Sequence, residues 1–548
     1  MNNKEFSIIV GGAAGQGSRK AGLIIAKLFN ELGYNIFIHE DYQSLIKGGH
    51  NFSKIMVSDK EVLCERDKVE FLLALDKNTI VQHESRLTSD GKIVFNKDKI
   101  DFDKGIGVAA ETITKEAGGI PIMSNTALIG ALAKIIGVDF SVLSNVLEKE
   151  IKKELEKNKD VAKRAYDSVE SLMKVEATGK NPKPLLTGNE AIALGAVSAG
   201  LEKYIAYPMT PATSVLHYLA DHKEELNVAT IQMEDEISVV NMAIGSAYAG
   251  KRTMVGTSGG GFALMTEAIS LSAMSETPLV IINSQRTGPA TGVPTYSGQS
   301  DLLFTLASGH GDFTRFIIAP SDVNEAFIWS NKIMNLAWKY QTPAILLVDK
   351  ELSENTFPFD ETLINSVKKE EGLMFDGNGE YSRYKNAENG ISPMAFPGEI
   401  RDTVKSTSYE HDEKGITVED ALSIILMQEK RLRKFKEMEK EVDNLKAVKT
   451  YGKGSKVIIC WGSNKGVSRE VGEKLGMKVV QPIILQPFPT KQMQKALEGA
   501  EEIILVESNA TAQMEHVLNS YGIKVDRKIL KYDGRPFTLE ELESKIKE

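Results

Sequence analysis

Cysteine is almost absent: Cys64 and Cys460 are the only two in 548 residues. Two thiols cannot build a disulfide framework, a paired-cysteine zinc site or a cysteine-ligated iron–sulfur cluster. Long apolar runs are missing too. None approaches the ~20 residues of a membrane span. Met1 to Glu5 is polar and the first apolar run, Ile8 to Val10, is short, so no signal peptide is visible. Positive charge is not in excess: the formal net charge is −9, which argues against a nucleic-acid partner. The most basic run, Lys430-Arg431-Leu432-Arg433-Lys434, is interleaved with glutamate and reads as one solvated helix face. These absences point to a cytoplasmic protein with neither membrane nor nucleic acid among its partners.

What is present is globular. Hydrophobic residues make up 42% and charged residues 26% of the chain, an ordinary balance for a packed protein. The length exceeds what one core accommodates, so about three domains are expected. Residues 1–178 open with a strand, Phe6 to Val10, the glycine-rich turn GGAAGQG (11–17), a helix from Ala21 to Leu32 and a second strand, Asn35 to His39. That is the opening of a βαβ unit. Val142 to Lys174 reads as helical and charged. A polar linker follows, assigned to 179–187. Residues 188–355 alternate candidate strands (204–207, 228–232, 253–257, 279–283, 316–319, 344–348) with helical patterns, the sign of a doubly wound parallel sheet. Residues 356–450 are irregular, then helical from Thr417 to Leu445. Residues 451–548 read as a small α/β domain with strands at 457–460, 478–480, 502–506 and 527–530.

Two glycine loops and one proline-bracketed turn stand out. GGAAGQG is not a P-loop, because Ser18-Arg19 stands where a lysine and a hydroxyl are needed. Its spacing is not GxGxxG either. Glu40, at the end of the second strand, imitates the acid that binds an NAD ribose. An NAD site, another phosphate-bearing ligand and a purely structural turn all remain open on these residues. TSGGG (257–261) follows a strand and opens an apolar helix, so its backbone either approaches a ligand or packs helix on sheet. In YPMTPAT (207–213), Pro208 stops a strand. Thr210 suits a helix N-cap and Pro211 the first helical position. Such a helix start is a place to hold an anion.

Taken in order, YPMTPAT, MEDEISVVNMAIGSAYAG (233–250), TSGGGFALMTEAI (257–269) and QRTGPATGVPT (285–295) resemble the alpha subunit of the 2-oxoacid:ferredoxin oxidoreductases. GGAAGQGSRKAG (11–22) with KGGHNF (47–52) resembles the gamma domain of that family, fused N-terminally. RYKNAENGISPMAFPG (383–398), YEHDEKG (409–415) and KYDGRPFT (531–538) are similar to its later landmarks.

The resemblance implies thiamine diphosphate as cofactor, a 2-oxo acid as substrate, with 2-oxoglutarate favoured over pyruvate and branched-chain acids, and coenzyme A as acyl acceptor. It implies a beta subunit carrying Mg2+ and a 4Fe–4S cluster, ferredoxin as electron acceptor, and an (αβ)2 heterotetramer. Carried over by motif, Glu236 is the carboxylate for N1′ of the aminopyrimidine. Tyr207, Pro208, Gly259 and Gly260 contact the cofactor. Thr210, Arg286 and Thr295 contact the oxo acid, Arg286 as a bidentate clamp. Gly15, Gly17, Lys47, Gly48 and Gly49 are candidates for coenzyme A. His50 and His310 are as well explained by structure as by ligand contact. Met209 and Ala212 replace the isoleucine and serine usual in the family, which bears on substrate identity. The last domain resembles the transketolase C-terminal type, whose role is assembly, so VESNATAQ (506–513) and KYDGRPFT read as landmarks, not catalysts. The alternatives are an NAD-dependent dehydrogenase and a non-catalytic assembly or regulatory homologue.

Overall fold

The structure is a computed structural model and describes residues 4–44 and 49–548. Lys47 and Gly48 therefore lie outside the described residues. The chain forms two compact units. One comprises the described residues up to Leu186 with Asn355–Glu361 and Phe537–Glu548; the other is Thr187–Glu354 with Thr362–Pro536.

The first unit is built on a mixed sheet. Its central strand, Glu5–Ala13, runs parallel to Val69–Ala74 and antiparallel to His50–Ser58. His50–Ser58 in turn pairs antiparallel with Asn35–Asp41. The expected βαβ opening is thus modified: the first two strands are parallel in sense, but a third lies between them. The glycine-rich stretch is also redistributed. Gly11 and Gly12 belong to the strand, where an added Cβ would come within 2.6 Å of Thr79 or Gln16. Only residues 14–17 turn, and the helix starts at Ser18. Likewise His50 to Phe52 of KGGHNF is strand, not loop. The charged stretch after Val142 is two helices, Phe140–Glu150 and Leu155–Asp167, broken where Glu154 adopts φ 52°, and no helix follows Asp167 before Gly188. A left-handed residue cannot continue a right-handed helix.

The second unit holds two sheets. The larger has seven strands in the order Ile484–Gln486, Phe316–Ile318, Pro343–Asp349, Leu279–Gln285, Thr253–Thr257, Lys203–Ala206 and Ala229–Gln232. All are parallel except Ile484–Gln486. Leu279–Gln285, Pro343–Asp349 and Thr253–Thr257 are buried at every residue. That is why they read as continuous apolar runs, as strands covered on both faces do. From Lys203–Ala206 the chain moves outward to Ala229–Gln232, then back across to Thr253–Thr257. The winding reverses there, opening a crevice at the carboxyl ends of the strands. Three of the helices in this unit begin with side-chain caps. Asp235 accepts from Ser238 N (2.7 Å), Asp322 accepts from Glu325 N (2.8 Å), and Thr187 with Glu190 forms a capping box. The smaller sheet orders Val448–Tyr451, Lys478–Pro482, Lys456–Cys460, Glu502–Glu507 and Arg527–Leu530, with only the first antiparallel. Ile205, Val255, Ile281 and Ile345 of the larger sheet share one apolar core with Val457, Ile459, Trp461 and Leu505 of the smaller.

The basic run at 430–434 is not a solvated face. Lys430, Arg431 and Lys434 are buried. Lys430 Nζ lies 2.6 Å from Glu276 Oε1 and Lys434 Nζ 2.5 Å from Glu276 Oε2. Arg383 donates to the Glu276 carbonyl (2.5 Å). A buried carboxylate more than a hundred residues away in sequence supplies the counter-charge that hydration would otherwise supply.

Candidate active site at the carboxyl ends of the seven-stranded sheet

Four strand ends meet at the crevice. Tyr204, Ile205 and Ala206 are buried, and the chain emerges at Tyr207, which is 38% exposed, and half-buried Pro208. The turn that follows corrects one expectation. Thr210 is not a helix N-cap: Ala212 N–H closes a turn on Met209 O (2.9 Å) and the helix begins at Thr213. Asn189, fully buried, pins this turn by donating to Pro211 O (2.8 Å) and Ser214 Oγ (2.7 Å).

Glu236 is the first residue of the helix Glu236–Tyr248, which follows the edge strand. Its side chain is 4% exposed, and Oε1 has no hydrogen-bond partner among the described residues. The carboxylate lies against Thr257 and Gly261. A Cβ on Gly261 would stand 2.2 Å from Thr257 Oγ1 and 2.6 Å from Glu236 Oε1, so the carboxylate occupies its place only because residue 261 has no side chain. Ser258, fully buried, precedes the helix Gly259–Met274, and its Oγ also lacks a partner. The N–H groups of Gly259, Gly260 and Gly261 belong to that helix's first turn and have no intrahelical acceptor.

Arg286 directly follows the buried strand Leu279–Gln285, which runs two residues beyond the expected end. Its Nη1 donates to the backbone carbonyl of Thr210 (2.7 Å), while Nε is buried and unpartnered. Thr210 and Arg286 are therefore brought together, through the threonine's main chain. Burial lowers the Arg286 pKa and the Asp301 carboxylate opposes that shift. Asp301 has the reverse problem: burial pushes it up to about 6, against Asn283 and Arg286. Its Oδ2 would lie 2.6 Å from a Cβ on Gly259, at the mouth of the glycine turn. The intervening loop folds back over the crevice. Thr287 N–H donates to Tyr296 O (3.0 Å) and Val293 N–H to Thr287 O (2.9 Å). The Ala290 carbonyl stands 3.9 Å from a Cβ position on Gly260. Thr295 is buried, and its Oγ1 has no partner.

The crevice thus gathers Glu236, Gly259, Gly260, Arg286, Thr210 and Thr295, with Tyr207 and Pro208 at its exposed lip. Motif reasoning missed Gly261, Ser258, Asn283 and Asp301. Gly261 had a signal, as the third glycine of TSGGG; Asp301 had none, because only folding carries it to Gly259. Chemically, the arrangement offers a dry carboxylate with a free oxygen, open backbone N–H groups, a guanidinium and hydroxyls. It suits a nitrogen heterocycle beside a small carboxylate.

The other candidates lie in the first unit. Ala14 N–H donates to Gly49 O (2.8 Å), joining the glycine turn to the KGG stretch. Gly15 and Gly17 have φ 87° and 83°, which only glycine adopts freely, and Gly17 begins the helix Ser18–Glu31. Glu40 is not free to meet a ribose. It is buried within its strand and accepts from Ser53 Oγ (2.8 Å). His50 and His83 are buried with their Nε2 atoms 2.8 Å apart. Burial lowers both imidazoles, His83 to about 3. His310 is exposed and contributes only its main chain, to Ser270.

Residues 194–431, which carry the crevice, match a family model described as pyruvate flavodoxin/ferredoxin oxidoreductase, thiamine diP-bdg. Residues 7–168 match pyruvate ferredoxin/flavodoxin oxidoreductase. The fold and the matched domain are those of a thiamine-diphosphate-binding oxidoreductase. A 2-oxoacid:ferredoxin oxidoreductase subunit alpha from Sulfolobus sp is 33% identical over 99% of this chain and 96% of its own length. The 2-oxoglutarate synthase subunit KorA of Methanothermobacter thermautotrophicus is 32% identical over 59% of this chain and 87% of its own. The solved 2-oxoglutarate:ferredoxin oxidoreductase from Magnetococcus marinus, with 2-oxoglutarate, coenzyme A and succinyl-CoA bound, superposes with a TM-score of 0.89 at 29% identity, covering 99% of both chains. The chain belongs to the 2-oxoacid:ferredoxin oxidoreductase alpha subunits. No helix among the described residues is long and apolar enough to cross a membrane.

Proposed function

We propose that this chain holds the aminopyrimidine of thiamine diphosphate and the carboxylate of the 2-oxo acid in the crevice just described. The observation that carries the reading is Glu236 Oε1, buried, unpartnered and seated against a glycine that leaves it room. An orphaned buried carboxylate oxygen is costly unless a ligand meets it. The N1′ nitrogen of an aminopyrimidine is such a partner. When bound, thiamine diphosphate would supply a nucleophilic C2 toward the oxo carbon and a cationic ring to take up the electron pair of decarboxylation. Glu236 keeps N1′ protonated, which favours the imino form of the neighbouring group. Gly259 and Gly260 offer backbone donors, with Tyr207 and Pro208 closing the lip. Arg286 and the Thr295 hydroxyl receive the substrate carboxylate, and Thr210 sets the guanidinium through its carbonyl, which accepts a hydrogen bond from Nη1.

Two of the three relatives, the KorA subunit and the Magnetococcus marinus enzyme, are named for 2-oxoglutarate, which supports that acid as the substrate, to be converted to its acyl-CoA. Gly15, Gly17 and Gly49, held by the Ala14–Gly49 bond, are proposed coenzyme A contacts, as are Lys47 and Gly48, which lie outside the described residues. Two buried cysteines cannot hold a 4Fe–4S cluster. We assign that cluster, and the magnesium on the diphosphate, to a beta subunit, in an (αβ)2 assembly in the cytoplasm that delivers electrons to ferredoxin. The test is Glu236→Gln in the complex with its beta subunit, assayed by oxo-acid-dependent viologen reduction across a panel of acids. The amide keeps the shape and removes the charge, so turnover should fall to background while the subunits still copurify. Near-normal turnover would reject the assignment.

A further inference from the structure

The loop bearing Thr295 is gripped from outside. Tyr296 and Ser297 bond on one side to Thr287, the neighbour of Arg286: Thr287 N–H donates to Tyr296 O (3.0 Å) and Thr287 Oγ1 to Ser297 O (2.8 Å). On the other side they meet the KYDGRPFT segment that follows the five-stranded sheet. Ser297 N–H donates to Gly534 O (3.1 Å). The Arg535 guanidinium lies over the Tyr296 ring, 3.6 Å from its centroid. Gly534 is buried at φ 81°, with its Cβ position 3.1 Å from Tyr296 and 3.2 Å from Thr287 Oγ1, so no side chain separates the two segments. Two residues further on, Gln299 is fully buried and anchored separately. Its N–H donates to Ser508 O (2.8 Å), its carbonyl accepts from Asn509 Nδ2 (3.0 Å), and its side chain bonds Trp461 O (2.9 Å).

We propose that Arg535 is a positioning residue for substrate binding. Stacked on Tyr296, it holds the loop that places Thr295 and, through Thr287, Arg286. Gln299 fastens the loop to the core; Arg535, exposed at its outer end, sets how the free part lies. A cation over an aromatic face is attracted by the ring quadrupole even in water. Removing it loosens the loop without opening the core. The inference rests on the reading that this loop contacts the oxo acid.

The experiment uses the complex with its beta subunit and compares KM for the oxo acid, KM for coenzyme A, kcat and melting temperature. Arg535→Ala should raise the oxo-acid KM about fivefold, equivalent to about 1 kcal/mol. It should leave kcat within about twofold and the coenzyme A KM and melting temperature unchanged. Arg535→Lys, which keeps the cation, should recover most of the affinity. Tyr296→Ala should match Arg535→Ala, and the double variant should be no worse than either. Arg286→Ala, run in parallel, should raise the same KM by more. If Arg286→Ala raises it and Arg535→Ala does not, the positioning role is refuted. If Arg535→Ala raises the coenzyme A KM instead, Arg535 is a contact for that molecule and the inference fails. If neither variant moves the oxo-acid KM, the substrate reading of the loop falls, and the inference falls with it.

Discussion

Adding one methyl group at residue 261 probes the crevice directly. A Cβ there would lie 2.2 Å from Thr257 Oγ1, 2.6 Å from Glu236 Oε1 and 2.8 Å from Glu236 Cγ, where ordinary contact begins at 3.4 Å. Something must yield by most of an ångström. The helix has little freedom, because Gly261 and Phe262 are buried in its first turn. Thr257 is fully buried and β-branched, so its χ1 is stiff. The Glu236 carboxylate, on a longer side chain, is the part that moves. Overpacking of this kind costs about 1–3 kcal/mol, partly offset by the ~0.5–1 kcal/mol that alanine gains over glycine inside a helix. Stability should therefore change by no more than about 2.5 kcal/mol. Catalysis is more sensitive, since a displacement of about 1 Å in a reacting constellation costs roughly 100-fold. Gly261→Ala should thus fold and assemble, melt within a few degrees of the parent, and lose about two orders of magnitude in oxo-acid-dependent viologen reduction. Gly245→Ala is the matched control: it lies in the helix that carries Glu236 and meets nothing within 4 Å. Turnover of Gly261→Ala within about threefold of the parent would show that Glu236 does not need the place the structure gives it.

Two further predictions concern buried charge elsewhere in the same unit. Glu276→Gln leaves Lys430 and Lys434 buried without a counter-charge, and Lys434 already has its pKa lowered to about 8, chiefly by burial. Breaking such a cluster costs about 3–5 kcal/mol, so urea unfolding should shift by that amount; a change below about 1 kcal/mol would contradict the account. Glu507 is pushed up to about 7 by burial, against bonds from Trp461 Nε1, Met514 N and Asn509. A carboxyl whose folded pKa exceeds its unfolded one contributes stability below the unfolded value, near 4.5, and loses it as pH rises through the folded one. Melting temperature should fall between about pH 5 and pH 8, less steeply in Glu507→Gln, with Trp461 fluorescence titrating alongside in the parent only. Equal slopes in parent and variant would remove Glu507 from the explanation.

The parts legible in the sequence were those fixed by near neighbours. Parallel strands covered on both faces, such as 279–285 and 343–349, are apolar runs with turn residues at their ends, and they were read within one or two residues. The ordered motifs led to Glu236, Thr210, Arg286 and Thr295, all now seen at one crevice. What failed depended on distant residues. Thr210 satisfies every local rule for an N-cap, yet the turn is pinned by Asn189 through Pro211 O and the helix starts only at Thr213. Lys430 to Lys434 look solvated because Glu276 lies on another helix end. Gly11 and Gly12 look like a loop but are strand, because they pair with Phe52 and Asn51. Asp301 and Gln299 carried no motif at all; their importance comes from what the fold sets beside them.

The five-stranded sheet is more than an assembly surface. Its residues Val457, Ile459, Trp461 and Leu505 complete the core under the seven-stranded sheet. Above that core runs a buried polar layer. Asp349 accepts from Ser463 Oγ (2.7 Å) and Gln299 Nε2 (3.2 Å), and Asn464 Nδ2 donates to Gln299 Oε1 (2.7 Å), which also takes Ser508 N–H (3.1 Å). Each bond adds little net stability, but leaving any one unmade in so dry a place is expensive. The layer therefore admits one arrangement. Gln299 lies at its centre, and Gln299 is where the loop carrying Thr295 re-enters the fold. A substrate loop needs a free end to meet its ligand and a fixed end to aim it. The seven-stranded sheet supplies the strand that ends at Arg286, and the smaller sheet supplies the anchor. The two sheets fix opposite ends of one loop, so the geometry of the proposed oxo-acid site is a property of both.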